Sequence, residues 1–187
     1  MTDTSFLKNH FLIALPSLGD QNFSHTVTYI CDHSEDGAMG IVLNRPTQLQ
    51  LTDVLNHMNI ADSGTTTSTQ KIYSGGPVEE ERGFVLHTSA SPWNSTMKVS
   101  EDISITTSRD ILEAIASGSG PERSFLALGY AGWGAGQLEK ELKEDSWLSG
   151  PTDSNIIFDL PADQRWQAAA SLLGVDLNLI SSVTGHA

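Results

Sequence analysis

Residues 128–139 read Leu-Gly-Tyr-Ala-Gly-Trp-Gly-Ala-Gly-Gln-Leu-Glu, and the fold depends most on this stretch. It holds four glycines and two aromatic residues. Glycine lets the backbone adopt positive φ angles or approach another group closely. The run therefore predicts a tight corner between a strand over Ser124 to Tyr130 and a helix over Gly136 to Asp145, with Tyr130 and Trp133 held in fixed places.

Short apolar and β-branched segments outside this run predict six further strands: His10 to Leu15, Thr26 to Cys31, Ala38 to Leu43, Lys71 to Ser74, Gly83 to Thr88 and Ile103 to Thr106. Asp36-Gly37 predicts a hairpin between the second and third of them, and Pro46 is expected to end the third. Helices are predicted over Asp53 to Met58, from Thr107 to Gly118 and after Pro161. Strands and helices mixed in this irregular way indicate one α+β domain over residues 1–187. We expect a curved, largely antiparallel or mixed sheet flanked by a few helices.

Local signals predict how the helices begin and which side they bury. Thr52 is a candidate cap for the first helix, and Thr107 with Asp110 resembles a capping box for the second. In the last helix an apolar stripe with helical spacing predicts the buried face: Trp166, Ala169, Ala170 and Leu173.

The charge of the chain argues against nucleic acid as a partner. Ten Lys and Arg stand against 23 Asp and Glu, which gives a net charge of −13 over 187 residues. Binding to DNA or RNA needs basic side chains that displace counterions from phosphates. No segment reaches the length of a signal-peptide core or of a membrane span. We therefore expect a cytoplasmic protein that contacts neither nucleic acid nor membrane.

Motifs for metal or cofactor binding are not found in the sequence. The single cysteine, Cys31, lies in a strand-like segment and is expected to be a buried, inert thiol. The segment that begins at Asp32 resembles a calcium loop, but Leu43 stands where that loop needs a carboxylate. Gln137 stands where a dinucleotide-binding motif needs its last glycine. The sequence therefore predicts neither a metal nor a cofactor, and it identifies no catalytic residue.

Three corners marked by glycine or proline are the candidate binding site. They are Asn44-Arg45-Pro46, Gly75-Gly76-Pro77 with Arg82, and the segment that holds Tyr130, Trp133 and Gln137. If the corners converge, they offer a guanidinium, main-chain N–H groups and an aromatic wall, which suit a small anion, a carboxylate or a peptide terminus. His87, at the end of a predicted strand, is added to the candidates. The alternative is that the two arginines fix loops and that Trp133 fills the core.

The same segments resemble the YqgE/AlgH family. The resemblance lies in six motifs that keep their order along nearly the whole chain: His10 to Pro16, Gly37 to Pro46, Gly75 to Val78, Arg82 to His87, Leu128 to Glu139 and Gly185 to Ala187. It implies a bacterial, cytoplasmic, single-domain α+β protein. Some members are labelled transcriptional regulators through an association with alginate production. The resemblance brings no catalytic residue and no cofactor, and the polar stretch from Asp62 to Gln70 belongs to none of its motifs.

Three functions remain open, in a definite order. The first is a non-enzymatic binding or regulatory protein that acts through a small ligand or a protein partner. The second is a hydrolase or transferase that uses Asn44 or His87. The third is a transcriptional regulator, for which the net charge disfavours direct DNA binding.

Overall fold

Ten strands and five helices are found in this computed structural model, which describes residues 6–62, 70–88 and 92–179. The strands are β1 (His10–Ala14), β2 (Val27–Ser34), β3 (Gly37–Val42), β4 (Pro46–Gln50), β5 (Lys71–Ser74), β6 (Val78–Thr88), β7 (Thr96–Lys98), β8 (Ile103–Thr106), β9 (Ser124–Gly134) and β10 (Trp147–Pro151). The helices are α1 (Leu51–His57), α2 (Arg109–Ser117), α3 (Gln137–Lys143), α4 (Ser154–Phe158) and α5 (Ala162–Ser171). Of the stretch from Asp62 to Gln70 only the two end residues are described, and Gly185 to Ala187 lies outside the described residues.

The strands form one curled, mixed sheet with β9 at its centre. Its main path runs β10-β1-β2-β3-β9-β6-β8-β7, and neighbours along this path are antiparallel. β5 pairs with β9 in parallel and with β4 in antiparallel orientation. The predicted α+β class with a largely antiparallel or mixed sheet is therefore confirmed.

Apolar side chains pack in three clusters around this sheet. One face carries Phe84 and Leu86 of β6 and is covered by α4 and α5. The opposite face carries Val85 and is covered by α1 and α2. The third cluster surrounds Trp133 and Trp147 and includes residues of α3 and the N-terminal segment. Since side chains alternate along β6, each helix layer has its own set of sheet residues.

The corner predicted within residues 128–139 is wrong in its position. β9 continues through the glycines as far as Gly134, because Ala131 to Gly134 pair with β3. Only Ala135 and Gly136 turn the chain into α3, and Gly136 is the N-cap with φ +74°. This glycine-rich segment therefore forms a strand, because β3 supplies its hydrogen bonds.

Several local predictions differ from the structure at their ends. The N-caps of α1 and α2 are Gln50 and Ser108, one or two residues from the predicted caps. β3 ends at Val42, before Pro46, and Pro46 itself begins β4, which was not predicted. Leu173 is 36% exposed, although the helical stripe placed it inside. Four short elements were not predicted: β4, β7, β10 and α4.

Candidate functional site

The glycines of two predicted corners lie against each other, where two main-chain segments cross. The N–H of Gly75 donates to the carbonyl oxygen of Leu128 at 2.8 Å. Gly76 and Gly129 have φ angles of +152° and +81°. A Cβ on Gly76 would overlap the carbonyl group of Tyr130, and a Cβ on Gly129 would lie 2.5 Å from the oxygen of Gly76. These two corners converge, and the close approach of their main chains leaves no open site between them.

Arg45 connects the first predicted corner to this crossing. Its carbonyl oxygen accepts from Ser74 N at 2.8 Å. Its guanidinium donates to the carbonyl oxygens of Asn22 at 2.7 Å and Ser24 at 3.0 Å, so it fixes that loop. The cavity beside Arg45, which Gly76 and Pro77 also line, measures about 40 Å³. That volume has room for about one water molecule.

Asn44 and Pro46 have structural surroundings. The Asn44 side chain accepts from Val27 N at 3.1 Å and donates to the carbonyl oxygen of His25 at 2.9 Å. Pro46 pairs with Tyr73 at the start of β4. Asn44 therefore ties the end of β3 to the start of β2.

Three predicted site residues meet in a shallow depression of about 650 Å³, which we name the Tyr130 depression. Its lining includes Tyr130, Trp133 and Arg82. The Arg82 guanidinium lies 3.4 Å from a carboxylate oxygen of Glu79 and 5.3 Å from the centre of the Phe84 ring. Asp32 and Asp36 also line the depression. Because one carboxylate pairs with the arginine and two more line the same depression, this arrangement does not favour the small anion that the sequence predicts.

The Trp133 ring belongs to the core, with 6% of the residue exposed. Its indole N–H donates to Oε1 of Glu141 at 3.1 Å, and that of Trp147 donates to the same oxygen at 3.0 Å. Gln137 donates to the other oxygen of Glu141 and accepts from Gly134 N, both at 2.9 Å. Glu141 of α3 thus holds the end of β9 and the start of β10.

The last residue of the run, Glu139, fixes α3 to β2. The buried ring of His33 accepts from Leu7 N through Nδ1 at 2.9 Å, so Nε2 carries the proton. Nε2 lies 3.0 Å from Oε1 of Glu139 and donates to it. This hydrogen bond lowers the pKa of Glu139 below its ordinary value.

Glu139→Gln is expected to lower stability at neutral pH and to lose that effect in acid. The pKa of Glu139 is lower in the folded protein than in the unfolded chain, so its contribution is present above the unfolded value. It disappears as the pH falls through the folded value. Urea unfolding at a series of pH values measures the difference between the variant and the native protein. Glu144→Gln, at the exposed C-cap of the same helix, is the control. A difference that stays constant with pH would contradict the prediction.

His87 lies apart from the three corners. It is 1% exposed, and its ring meets Trp93 with centroids 5.2 Å apart. Nε2 lies 2.7 Å from the Thr106 hydroxyl and Nδ1 lies 2.9 Å from the carbonyl oxygen of Thr88. Burial lowers the pKa of His87, which favours the neutral ring. Asn44 and His87 therefore have separate partners on different strands.

A larger and more apolar cavity lies on the sheet face that α1 and α2 cover. It measures about 700 Å³, and we name it the α1–α2 groove. Its floor is a patch of four residues on two paired strands, where Gly83 is opposite Leu128 and Val85 is opposite Leu126. Its walls are apolar side chains of the two helices: Val54, Met58 and Leu112.

Gly83 is the reason for the depth of this groove. A Cβ built on Gly83 has a single neighbour within 4 Å, the Cδ1 atom of Leu126 at 3.9 Å. On the same face Val85 is 2% exposed and Leu126 is 4% exposed. Well-packed interiors leave few voids larger than a water molecule. The missing side chain at Gly83 is therefore what keeps the floor open.

A wide bulge in β6 forms one side of the groove. Val78 pairs with Tyr130 and Gly83 pairs with Leu128, so Glu79 to Arg82 lie opposite Gly129 alone. Glu79 has φ +47°, an uncommon conformation for a glutamate. Bulges often redirect side chains beside functional sites. Here Glu80 and Glu81 line the α1–α2 groove, while Arg82 lines the Tyr130 depression.

At Gly129, the side chains of β9 switch from one face of the sheet to the other. Leu128 packs with the α1 and α2 cluster. Tyr130 should share that face by strand alternation, yet it packs with the opposite cluster, 5.6 Å from the Phe84 ring. The bulge and the positive φ of Gly129 account for the change. The groove and the Tyr130 depression are therefore adjacent along β9 but lie on different faces.

The groove was missed by sequence reasoning, although the sequence held one sign of it. Gly83 stands between the charged run Glu79 to Arg82 and the apolar residues that begin at Phe84, and a glycine at such a place in a strand can mark a bulge or a close approach. The sequence pattern alone predicts only a strand that begins at Gly83. The apolar walls come from α1 and α2, which are far away in sequence, so no local pattern could have joined them.

Two further features of the described part of the chain concern membranes and metals. No helix within it is both long and apolar enough to cross a bilayer. No group of three or more His, Cys, Asp or Glu side chains in those same ranges could hold a metal ion. Cys31 is fully buried, as predicted, and burial raises the pKa of its thiol.

Comparisons with known proteins show the family of this chain. A family model described as AlgH-like matches residues 11–178. A UPF0301 protein of Thioalkalivibrio sulfidiphilus is 58% identical over 187 residues, which is all of both chains. A UPF0301 protein of Nitrosococcus oceani is 50% identical over the same length. The chain belongs to the AlgH-like family.

Two solved structures share the fold. The solution structure of the AlgH protein from Pseudomonas aeruginosa superimposes with a TM-score of 0.81 at 49% identity, and it covers 97% of this chain and 96% of that one. A crystal structure of a Corynebacterium diphtheriae protein has a TM-score of 0.75 at 20% identity, with 97% and 94% of the two chains covered. The second comparison shows the fold alone.

Proposed function

We propose that this chain is a non-enzymatic binding protein of the bacterial cytoplasm that regulates by holding the apolar part of another molecule in the α1–α2 groove. The observation that carries the proposal is the apolar cavity of about 700 Å³ over Gly83. Sites for ligands are concave, mainly apolar and about 300–1,000 Å³ in volume. The groove meets all three conditions.

The surrounding polar groups support binding over catalysis. The Thr106 hydroxyl, which lines the groove, is already bonded to the ring of His87 and lies 2.8 Å from the hydroxyl of Thr96. Asn44 and His87, on which the enzymatic alternative depends, bond to separate strands. Direct contact with DNA is not part of the proposal, because the chain has a net charge of −13.

Titration with Nile red, an uncharged apolar dye, tests the groove. Gly83→Phe puts a ring into the open floor without a main-chain clash, and aromatic residues suit strands. We expect this variant to fold and to lose dye binding. Gly132→Phe is the matched control, because its Cβ also has room and it fills the Tyr130 depression instead.

The two variants separate the possible results. Dye binding that Gly132→Phe keeps and Gly83→Phe loses supports the proposal. If the native protein does not bind the dye, or if Gly83→Phe binds it unchanged, the groove is not the site. Loss in Gly132→Phe alone would move the site to the Tyr130 depression. Circular dichroism and a melting curve show that each variant is folded.

A further inference from the structure

The rim of the α1–α2 groove is acidic. Asp53 of α1 and Glu80 and Glu81 of the bulge lie along it. Both glutamates are exposed, and the side chain of neither has a hydrogen bond or ion pair with any residue in the described ranges. Their carboxylates therefore remain available to a partner.

The one arginine of the rim does not offset these charges. Nη1 of Arg109 donates to the carbonyl oxygen of Met58 at 2.7 Å, and Nε lies 3.7 Å from a carboxylate oxygen of Glu113. Arg109 thus connects the end of α1 to α2 and has an acidic neighbour of its own. The mouth of the groove is negative, and it favours an occupant with positive charge around an apolar centre.

The arrangement of polar groups resembles a protein interface more than a small-molecule pocket. Small-molecule sites place a few polar groups inside, where they orient the ligand. In this groove the inner hydroxyls are occupied: Thr106 bonds to His87, and Ser108 donates to Asp110 at 2.5 Å while accepting from Ser95 N at 3.0 Å. Charge is found at the exposed rim, around an apolar centre, as in interfaces between proteins.

Leu49 extends the apolar surface outward. It is 41% exposed, lies in β4 and lines the groove at the α1 side. With Val54, Met58 and Leu128 it forms an apolar strip that is open to solvent and bordered by carboxylates. An amphipathic helix places its anchors at positions i, i+3, i+4 and i+7 in such a groove.

We propose that the occupant of the α1–α2 groove is a basic amphipathic helix of a partner protein, an inference that rests on the proposed function. Apolar anchors of the helix lie over Gly83 and between α1 and α2. Lysines or arginines beside the anchors pair with Glu80, Glu81 and Asp53. A second copy of this chain is a poor occupant, because its net charge of −13 repels the acidic rim.

Two labelled model peptides of about four helical turns test the occupant by fluorescence anisotropy. Both carry leucine at the anchor positions, and the remaining positions are lysine in one and glutamate in the other. We expect the lysine peptide to bind about tenfold tighter or more, to weaken as salt rises, and to displace Nile red. Glu80→Lys/Glu81→Lys is expected to reverse the preference between the peptides.

A matched double variant controls for net charge. Glu101→Lys/Glu144→Lys changes the charge by the same amount at exposed positions that do not line the groove, so it should keep the preference for the lysine peptide. Equal binding of both peptides, or equal effects of the two double variants, overturns the inference. If Nile red still binds in that case, the groove remains a binding site and only the basic helix is rejected.

Self-association is the remaining outcome. Sedimentation of the native protein over a range of concentrations would detect dimers, and Gly83→Phe would show whether they depend on the groove. A dimer that this variant abolishes makes a second copy the occupant and overturns the inference. A monomer that binds the lysine peptide and loses it with Gly83→Phe supports the inference.

Discussion

Gly76→Ala is expected to lower the free energy of unfolding by about 3–5 kcal/mol, a large part of the roughly 5–15 kcal/mol that stabilises a typical domain. Two costs combine at this residue. Gly76 has φ +152°, which L side chains rarely adopt, and a Cβ would overlap the carbonyl group of Tyr130. The link between β5 and β6 crosses β9 at this point, so relief of the overlap would have to separate strands at the centre of the sheet.

Urea unfolding of Gly76→Ala and Gly134→Ala measures this effect against a matched change. Gly134 also lies in β9, but a Cβ there has one neighbour within 4 Å, a side-chain oxygen at 3.9 Å. We expect the control to change stability by about 0.5 kcal/mol or less. If Gly76→Ala is as stable as Gly134→Ala, the main chains at the crossing are not held as closely as described.

Arg165→Met is expected to cost about 3 kcal/mol, although methionine would keep the apolar part of the side chain. Arg165 is 4% exposed, and its guanidinium donates to the carbonyl oxygens of Leu43 at 2.6 Å and Leu160 at 3.0 Å. It also lies 4.9 Å from the centre of the Tyr73 ring and 5.3 Å from that of Phe125. Burial lowers the pKa of Arg165. Its removal leaves the buried carbonyl group of Leu43 and the part-buried one of Leu160 without this donor, and an unsatisfied buried group costs about 1–3 kcal/mol.

The control for this prediction is Arg82→Met, at an arginine whose side chain is 52% exposed. Loss of an exposed ion pair costs about 1 kcal/mol or less. Arg165→Lys is expected to recover little, since a compact ammonium group cannot lie against both aromatic rings and donate to both carbonyls as the planar guanidinium does. If Arg165→Met proves as stable as the native protein, the buried guanidinium gives no net stabilisation.

Arg165 also shows why helix periodicity could not predict the whole core. The apolar stripe of α5 placed Trp166, Ala169 and Ala170 inside, and the two alanines are fully buried. That pattern gives no sign that Arg165 is buried, because an arginine counts as polar at every position. Its acceptors lie at the end of β3 and after α4, and only the assembled fold brings them together.

The strands, too, were predicted only where the signal is local. The segment from Lys71 to Ser74 and that from Ile103 to Thr106 were predicted with their observed ends, because β-branched runs between turn residues are local signals. The run from Leu128 to Gly134 was not, since glycine content alone does not distinguish a turn from a crossing of two main chains. That difference is decided by β3 and by the Gly75-Gly76 segment, which contact the run and lie far from it in the chain.

The candidate site, too, could be predicted from the sequence only in part. The sequence pointed to Arg82, Tyr130 and Trp133, which do share a depression. It placed Asn44, Arg45 and His87 in a site, whereas the structure gives each of them partners within the protein. The α1–α2 groove depends on an absent side chain and on two helices, and no motif in a linear sequence describes an empty volume.

The open floor at Gly83 has a consequence for the evolution of this family. One amino-acid replacement can close the groove while the sheet keeps its hydrogen bonds, so mutation can remove the proposed binding without harming the fold. The glycine at position 76 has no such freedom, since its loss is expected to damage folding itself. If the groove holds the proposed helix, a lineage that no longer needs that partner is expected to replace the glycine at position 83 and to keep the one at position 76. A comparison of how often the two glycines are replaced would distinguish selection for the proposed binding from selection for folding.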